Sequence, residues 1–170
     1  MIYPIIILII SFILDGIMSR YINLSFSSIS MFTTIYSLIC LISICCLYSD
    51  DKKYYLSALV LGLFFDMVYT GSFILNAVSF SIISIITRKL YNILTYNIIN
   101  NTIISCLGII FHYVFTNIIL TMVGYLNFNV KLLLDILYHS LIMSIIYSLI
   151  LYLINSIVIK HKSNNIKAIR

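Results

Sequence analysis

From Pro4 to Ile159 the sequence is one apolar run after another, parted by short polar breaks and almost empty of charge. That pattern excludes most folds at once. A soluble domain is about 45–50% apolar and about 25% charged, whereas this chain is 62% hydrophobic and 9% charged, with mean hydropathy +1.14. No water-soluble fold covers a core that large with so few charges, so the expected class is an all-α integral membrane protein. A spanning helix needs about 20 apolar residues. The length therefore allows roughly six spans in a bundle with short connections and no separate soluble domain.

The breaks place the spans near residues 4–19, 29–48, 54–69, 72–87, 98–125 and 132–159, one polytopic membrane domain over 1–159, followed by a basic tail over 160–170. The first run lacks a basic leader and a small-residue cleavage site, so it reads as a retained helix rather than a signal peptide. Only Thr70, Gly71 and Ser72 join the third and fourth spans. That is a tight helical hairpin, with glycine supplying the positive φ that a sharp reversal often needs.

Charge sets the orientation. Lys52, Lys53, Arg88, Lys89 and the tail residues Lys160, Lys162, Lys167 and Arg170 follow even-numbered spans; Arg20 and Lys131 follow odd-numbered ones. The positive-inside rule puts both termini in the cytoplasm. The net charge of +5 is explained by this orientation, and its scatter among loops points away from nucleic acid. Tyr3, Tyr48, Tyr54, Tyr69, Tyr91 and Tyr125 fall at span ends, as expected of an interfacial aromatic belt. Cys40, Cys45, Cys46 and Cys106 lie in apolar runs without CxxC spacing and read as small membrane-helix residues rather than disulfides or metal ligands.

Three acids interrupt the apolar runs: Asp15, Asp66 and Asp135. An ionisable group in hydrocarbon costs roughly 2.5–3.5 kcal/mol on insertion scales and is a functional candidate for that reason. Asp15 lies five residues before Arg20, Asp66 five before Gly71, and Asp135 four after Lys131. At about 1.5 Å per residue each sits roughly 6–8 Å inside the outer boundary. His139 shares a helical face with Asp135, and Asn76 opens the fourth span across the hairpin from Asp66. The expectation is one polar cluster in which the three acids share Arg20, Lys131, His139 and Asn76. It either pins helices together or forms a partner-docking or substrate site open to the outside; a proton or ion relay is a third use. His112 reads as a hydrogen-bonded packing residue. No phosphate loop, catalytic-triad spacing or zinc spacing occurs, so neither an enzyme nor a metal or cofactor site is expected.

The stretch Gly62-Leu63-Phe64-Phe65-Asp66, Gly71 and Leu75-Asn76-Ala77 resembles the MreD family, the rod-shape-determining membrane proteins of bacteria. Leu14-Asp15-Gly16 resembles the Asp-containing end of that family's first helix. Ile74 stands where the family often has glycine, and Met31-Phe32 replaces a Pro-Asp-like start to the second span. The resemblance implies a non-enzymatic scaffold of the cell-elongation machinery in the bacterial cytoplasmic membrane. It also implies assembly with an MreC-like single-span protein and, through it, with RodA and a transpeptidase, MreB being an indirect partner and membrane lipid a contact of the basic loops. The alternative expectation is the substrate-binding membrane subunit of an energy-coupling-factor vitamin transporter, although only Ser57-Ala58 resembles such proteins' small-residue contact motifs.

Overall fold

The structure, a computed structural model, describes residues 2–25, 35–71, 74–125 and 129–167, with side chains throughout except at 2, 19–25, 132 and 161–167. Helix makes up 90% of it, and no strand occurs among the described residues. The elements are α1 (Ile2–Ser25), α2 (Tyr36–Ser43) continued by a 3-10 turn (Ile44–Leu47), α3 (Asp51–Phe65) continued by a π-helical turn (Asp66–Thr70), α4 (Leu75–Ile93), α5 (Ile98–Met122) and α6 (Val130–Lys167).

Contacts between named residues give the helix directions. Phe12 meets Phe65 and Gly16 meets Tyr69, so α1 and α3 run parallel. Arg88, late in α4, meets Asp51 at the start of α3. Tyr147 packs on Tyr36 while Asn155 reaches Ser43, so α6 follows α2. Thr102 meets Ser148 and Cys106 meets Ser144, so α5 opposes α6. The result is an up-and-down bundle.

Polarity is inverted relative to a soluble bundle. Ser11, Asp15, Asp66, Asn76, Ser79, Asn101, His112, Ser144, Ser148 and Asn155 are buried, while Ile9, Ile13, Leu56, Phe64, Ile103, Leu107, Ile146 and Ile150 face outward. Two helices, Ile98–Met122 and Leu133–Lys160, are long and apolar enough to cross a membrane. Between them α5 and α6 meet through small and polar side chains, with Ser144 Oγ 3.6 Å from Cys106 Sγ and Asn101 Nδ2 donating to the Ser148 carbonyl at 3.1 Å. Small residues let two backbones approach closely where apolar bulk gives no selectivity.

The second span departs from expectation. Its predicted start, 29–34, lies outside the described residues, and the described helix begins only at Tyr36. With its 3-10 turn α2 rises roughly 20 Å, well short of the ~30 Å hydrocarbon thickness. It is buried at every position from Ile35 to Cys45, packed against α1, α4, α5 and α6. α1 meanwhile runs on to Ser25, ten residues beyond Asp15, or about 15 Å, so Asp15 sits deeper along its helix than the spacing to Arg20 implied. α6 is described through Lys167, so the helix continues across most of the expected tail. The aromatic belt also needs correction at four positions. Tyr48 and Tyr54 are buried, Tyr69 is half-buried with its hydroxyl donating to the Phe12 carbonyl at 2.6 Å, and Tyr91 is half-buried with its hydroxyl donating to Asn101 Oδ1 at 2.9 Å; Tyr3 and Tyr125 are exposed as a belt requires.

Gly62 fixes how closely α3 and α4 approach. A Cβ there would stand 2.5 Å from Ala77 Cα and 2.8 Å from the Asn76 carbonyl oxygen. Gly62→Ala is therefore expected to lower the stability of the detergent-solubilised protein by roughly 1–3 kcal/mol, read as a fall in thermal midpoint. Gly108→Ala would press only on the movable Cδ1 of Ile42 and should cost less. Equal losses from the two would show that the backbone contact is not what requires glycine at 62.

Candidate functional site

An α-helix begins with backbone N–H groups that have no partner within the helix. Where the start is at the surface, the residue just before it normally supplies a side-chain oxygen. Three helices follow this rule: Asp50 accepts from Lys52 N at 3.0 Å for α3, Asn97 from Asn100 N at 2.8 Å for α5, and Asn129 from Lys131 N at 3.1 Å for α6. α2 and α4 are preceded by Ile35 and Ile74, which make no side-chain cap. Their caps come from the preceding helix.

Asp15 of α1 accepts from Tyr36 N at 2.6 Å and Ser37 N at 3.0 Å, the first two residues of α2. Asp66 accepts from Asn76 N at 3.0 Å and Ala77 N at 3.1 Å, the second and third residues of α4. The Asn76 side-chain amide adds a 2.7 Å bond to Asp66 Oδ1, and Thr70 Oγ1 a further one at 3.2 Å. Both carboxylates are buried. A negative group at a helix start also meets the positive end of the helix dipole, which makes these charge-assisted bonds among the stronger kind.

The two caps touch. Tyr69, one turn after Asp66, donates to the carbonyl of Phe12, one turn before Asp15. Its ring lies 4.9 Å from that of Phe12 and 5.0 Å from that of Phe65. Phe65 in turn packs on Phe80, and Phe80 on His112, whose Nδ1 is 2.7 Å from Ser79 Oγ. His112 is thus a hydrogen-bonded residue of the α4–α5 contact. At the opposite end of α2, Arg88 donates to the carbonyls of Cys45 at 3.0 Å and Tyr48 at 3.2 Å while its guanidinium pairs with Asp51.

The expected single cluster resolves into separate pieces. Asp66, Asn76, Gly71 and Gly62 come together in the hairpin with Ala77, and Leu75 is partly buried beside them, while Leu63 faces outward. Asp15 caps α2 and meets no basic side chain among the described residues. Asp135 and His139 stand exposed on α6 with Lys131, away from both caps, because their face of α6 points out of the bundle. The Arg20 side chain lies outside the described residues. No group of three or more His, Cys, Asp and Glu side chains gathers among the described residues.

Sequence reasoning missed Arg88, Tyr69 and Asn155. Only Arg88 left a signal: in a hairpin of α3 and α4, an acid opening one helix and an arginine closing the other share an end. Compared with known proteins, the chain matches no family model, no curated protein and no solved structure.

The turn before α4 carries strain. Gly71 has φ +61°, which glycine adopts without cost, but Ile74 has φ +70°, where a side chain costs roughly 1–2 kcal/mol. Ile74→Gly is expected to raise stability by about 1 kcal/mol net of the added freedom of the unfolded chain. Asp66→Asn, which turns an amide toward backbone donors, should lower it by about 1.5–3 kcal/mol. Thermal melts in one detergent check both; a destabilised Ile74→Gly protein would show that the isoleucine side chain outweighs its backbone strain.

Proposed function

We propose that the chain is a multi-pass, non-enzymatic scaffold subunit of the bacterial cytoplasmic membrane, of the MreD kind, acting in cell elongation. In this reading its six helices are held in the bilayer by the apolar exterior, with both termini in the cytoplasm. The observation that carries it is the hairpin from Gly62 to Ala77. Five residues on which the resemblance rests there share physical tasks in one unit, while Leu63 and Phe64 face outward: Gly62 admits Ala77, Asp66 caps α4, Asn76 holds Asp66, and Gly71 makes the reversal.

The same geometry moves the docking surface away from the buried acids. Asp15 and Asp66 are engaged by backbone donors, so they build the bundle rather than receive a partner. Lys131, Asp135 and His139 recur at four-residue intervals, hence on one face of α6, and are exposed near the end of the helix. Exposed polar groups on an otherwise apolar helix suit the membrane or juxtamembrane segment of a single-span partner, with RodA, its transpeptidase and MreB reached through it.

The test is a gentle-detergent pull-down of the tagged protein from its own host, with mass spectrometry of what is retained. A single-span protein with an external domain, or cell-wall synthases, are the expected company. Asp135→Ala with His139→Ala should reduce their recovery by about tenfold, the loss of one or two charge-assisted contacts, without changing the thermal midpoint. Recovery of paired ATPases with a coupling subunit would overturn the scaffold reading in favour of a transport subunit. Full partner recovery by the double variant would overturn the choice of face.

A further inference from the structure

Three acids lie within apolar helix, and the chain itself answers only two of them. Asp15 and Asp66 are buried, and each accepts from two backbone N–H groups. Asp135 is exposed on α6 and has neither an ion pair nor a hydrogen-bond donor among the described residues. Lys131, one turn before it on the same face, is exposed and makes no ion pair there either. The part of α6 apolar enough to cross a membrane is Leu133–Lys160, so Asp135 stands inside that stretch and Lys131 just outside it. A lysine side chain is long enough to carry its charge outward to water. An aspartate, with a single methylene, is not, and carboxylates on spanning helices are characteristically paired.

The surroundings say what kind of partner fits. Leu134, Tyr138 and Ile142 are exposed around the carboxylate, and Lys131, Asp135, Tyr138 and Ile142 follow the four-three-four spacing of a helix-packing seam. A second helix suits such a face, provided that its charges are the inverse of these. Another copy of this chain, inserted the same way up, does not supply them. About a two-fold axis along the membrane normal each depth meets its own depth, so Asp135 faces Asp135 and Lys131 faces Lys131. We propose that this face of α6 receives a transmembrane helix of a different protein, one that carries an arginine or lysine at the depth of Asp135 and an acid opposite Lys131, about 6 Å nearer the surface. The inference rests on the scaffold reading, whose single-span partner it gives a stated charge pattern.

The experiment uses the full chain in the membranes of its own host, with a photo-reactive amino acid at Tyr138, or at Ile103 on the exposed face of α5 as a control, and mass spectrometry of the cross-linked peptides. Position 138 is expected to yield a peptide from a transmembrane helix of another protein, with a basic residue within about one turn of the adduct. Asp135→Lys should lower the adduct yield about tenfold, as loss of one bond between charged groups does, while Asp135→Glu should retain it. Changing the partner's basic residue to aspartate should restore the yield with Asp135→Lys. Because Asp135 is exposed and bonded to nothing else in the chain, the thermal midpoint should not move. Adducts with a second copy or with lipid alone, or a charge exchange that restores nothing, would overturn the proposal. Scaffold partners retained on the tagged protein but cross-linked from position 103 and not from 138 would overturn the face and leave the scaffold reading standing. A charge-exchanging helix that belongs to a transporter's coupling subunit would do the reverse.

Discussion

A helix that starts inside an apolar bundle has N–H groups that neither water nor its own turns can satisfy, and the fold depends on how that constraint is met. α2 and α4 both start after an isoleucine that makes no side-chain cap. A carboxylate from the preceding helix does the capping in each case, Asp15 for α2 and Asp66 for α4. The first four helices are therefore two copies of one device: a long helix carries an acid, and that acid fixes where the next helix begins. Because an acid can cap only what lies within hydrogen-bond reach, each cap also sets the depth at which the second helix of its pair starts. Tyr69 ties the two devices together at the Phe12 carbonyl, so the pairs are registered against one another.

The acid and arginine at opposite ends of α2 follow the same electrostatics. α2 with its 3-10 turn is short, central and buried, so its dipole is poorly screened. Asp15 stands at its positive end and Arg88 at its negative end, where the Cys45 and Tyr48 carbonyls emerge. Asn155 of α6 takes one more carbonyl, that of Ser43, at 2.9 Å. The central helix thus has its terminal groups answered by α1, α4 and α6, and those bonds orient three helices around it. Packing then finishes the bundle through the small-residue contact of α5 and α6.

Much of this was legible in the sequence, and the parts that were not share a cause. The all-helical class follows from apolar length, and the hairpin at Gly71 from a glycine between two apolar runs. The partnership of Asp66 with Asn76 follows from their positions on either side of that turn. The second span was misjudged because periodicity and hydropathy mark what is apolar, not where a helix starts; the start of α2 is fixed by Asp15, more than twenty residues away in sequence, and Ile35 carries no local cap signal to find. The three acids looked alike because each sits among leucines and phenylalanines. What separates them is which face of its helix each occupies: Asp15 and Asp66 face helix starts, while Asp135 faces outward. A one-dimensional reading holds the spacing but not the rotation of each helix about its axis. Tyr48 and Tyr54 mislead for the same reason, since a tyrosine at a span end can turn inward as readily as outward.

The inward acids bear on function through what they occupy. In membrane transporters, helix N-termini within the bundle commonly hold the anionic group of a substrate, since a helix start is a ready anion site. Here both interior helix starts already hold a carboxylate of the chain itself, bound by two backbone N–H groups in each case. An external anion would have to displace a tethered one that gives up no translational freedom on binding, and would leave that charge buried without a partner. A chain that fills its own anion sites is suited to holding a fixed shape. Under the proposed scaffold reading a partner would then be met at the surface, on the exposed polar face of α6.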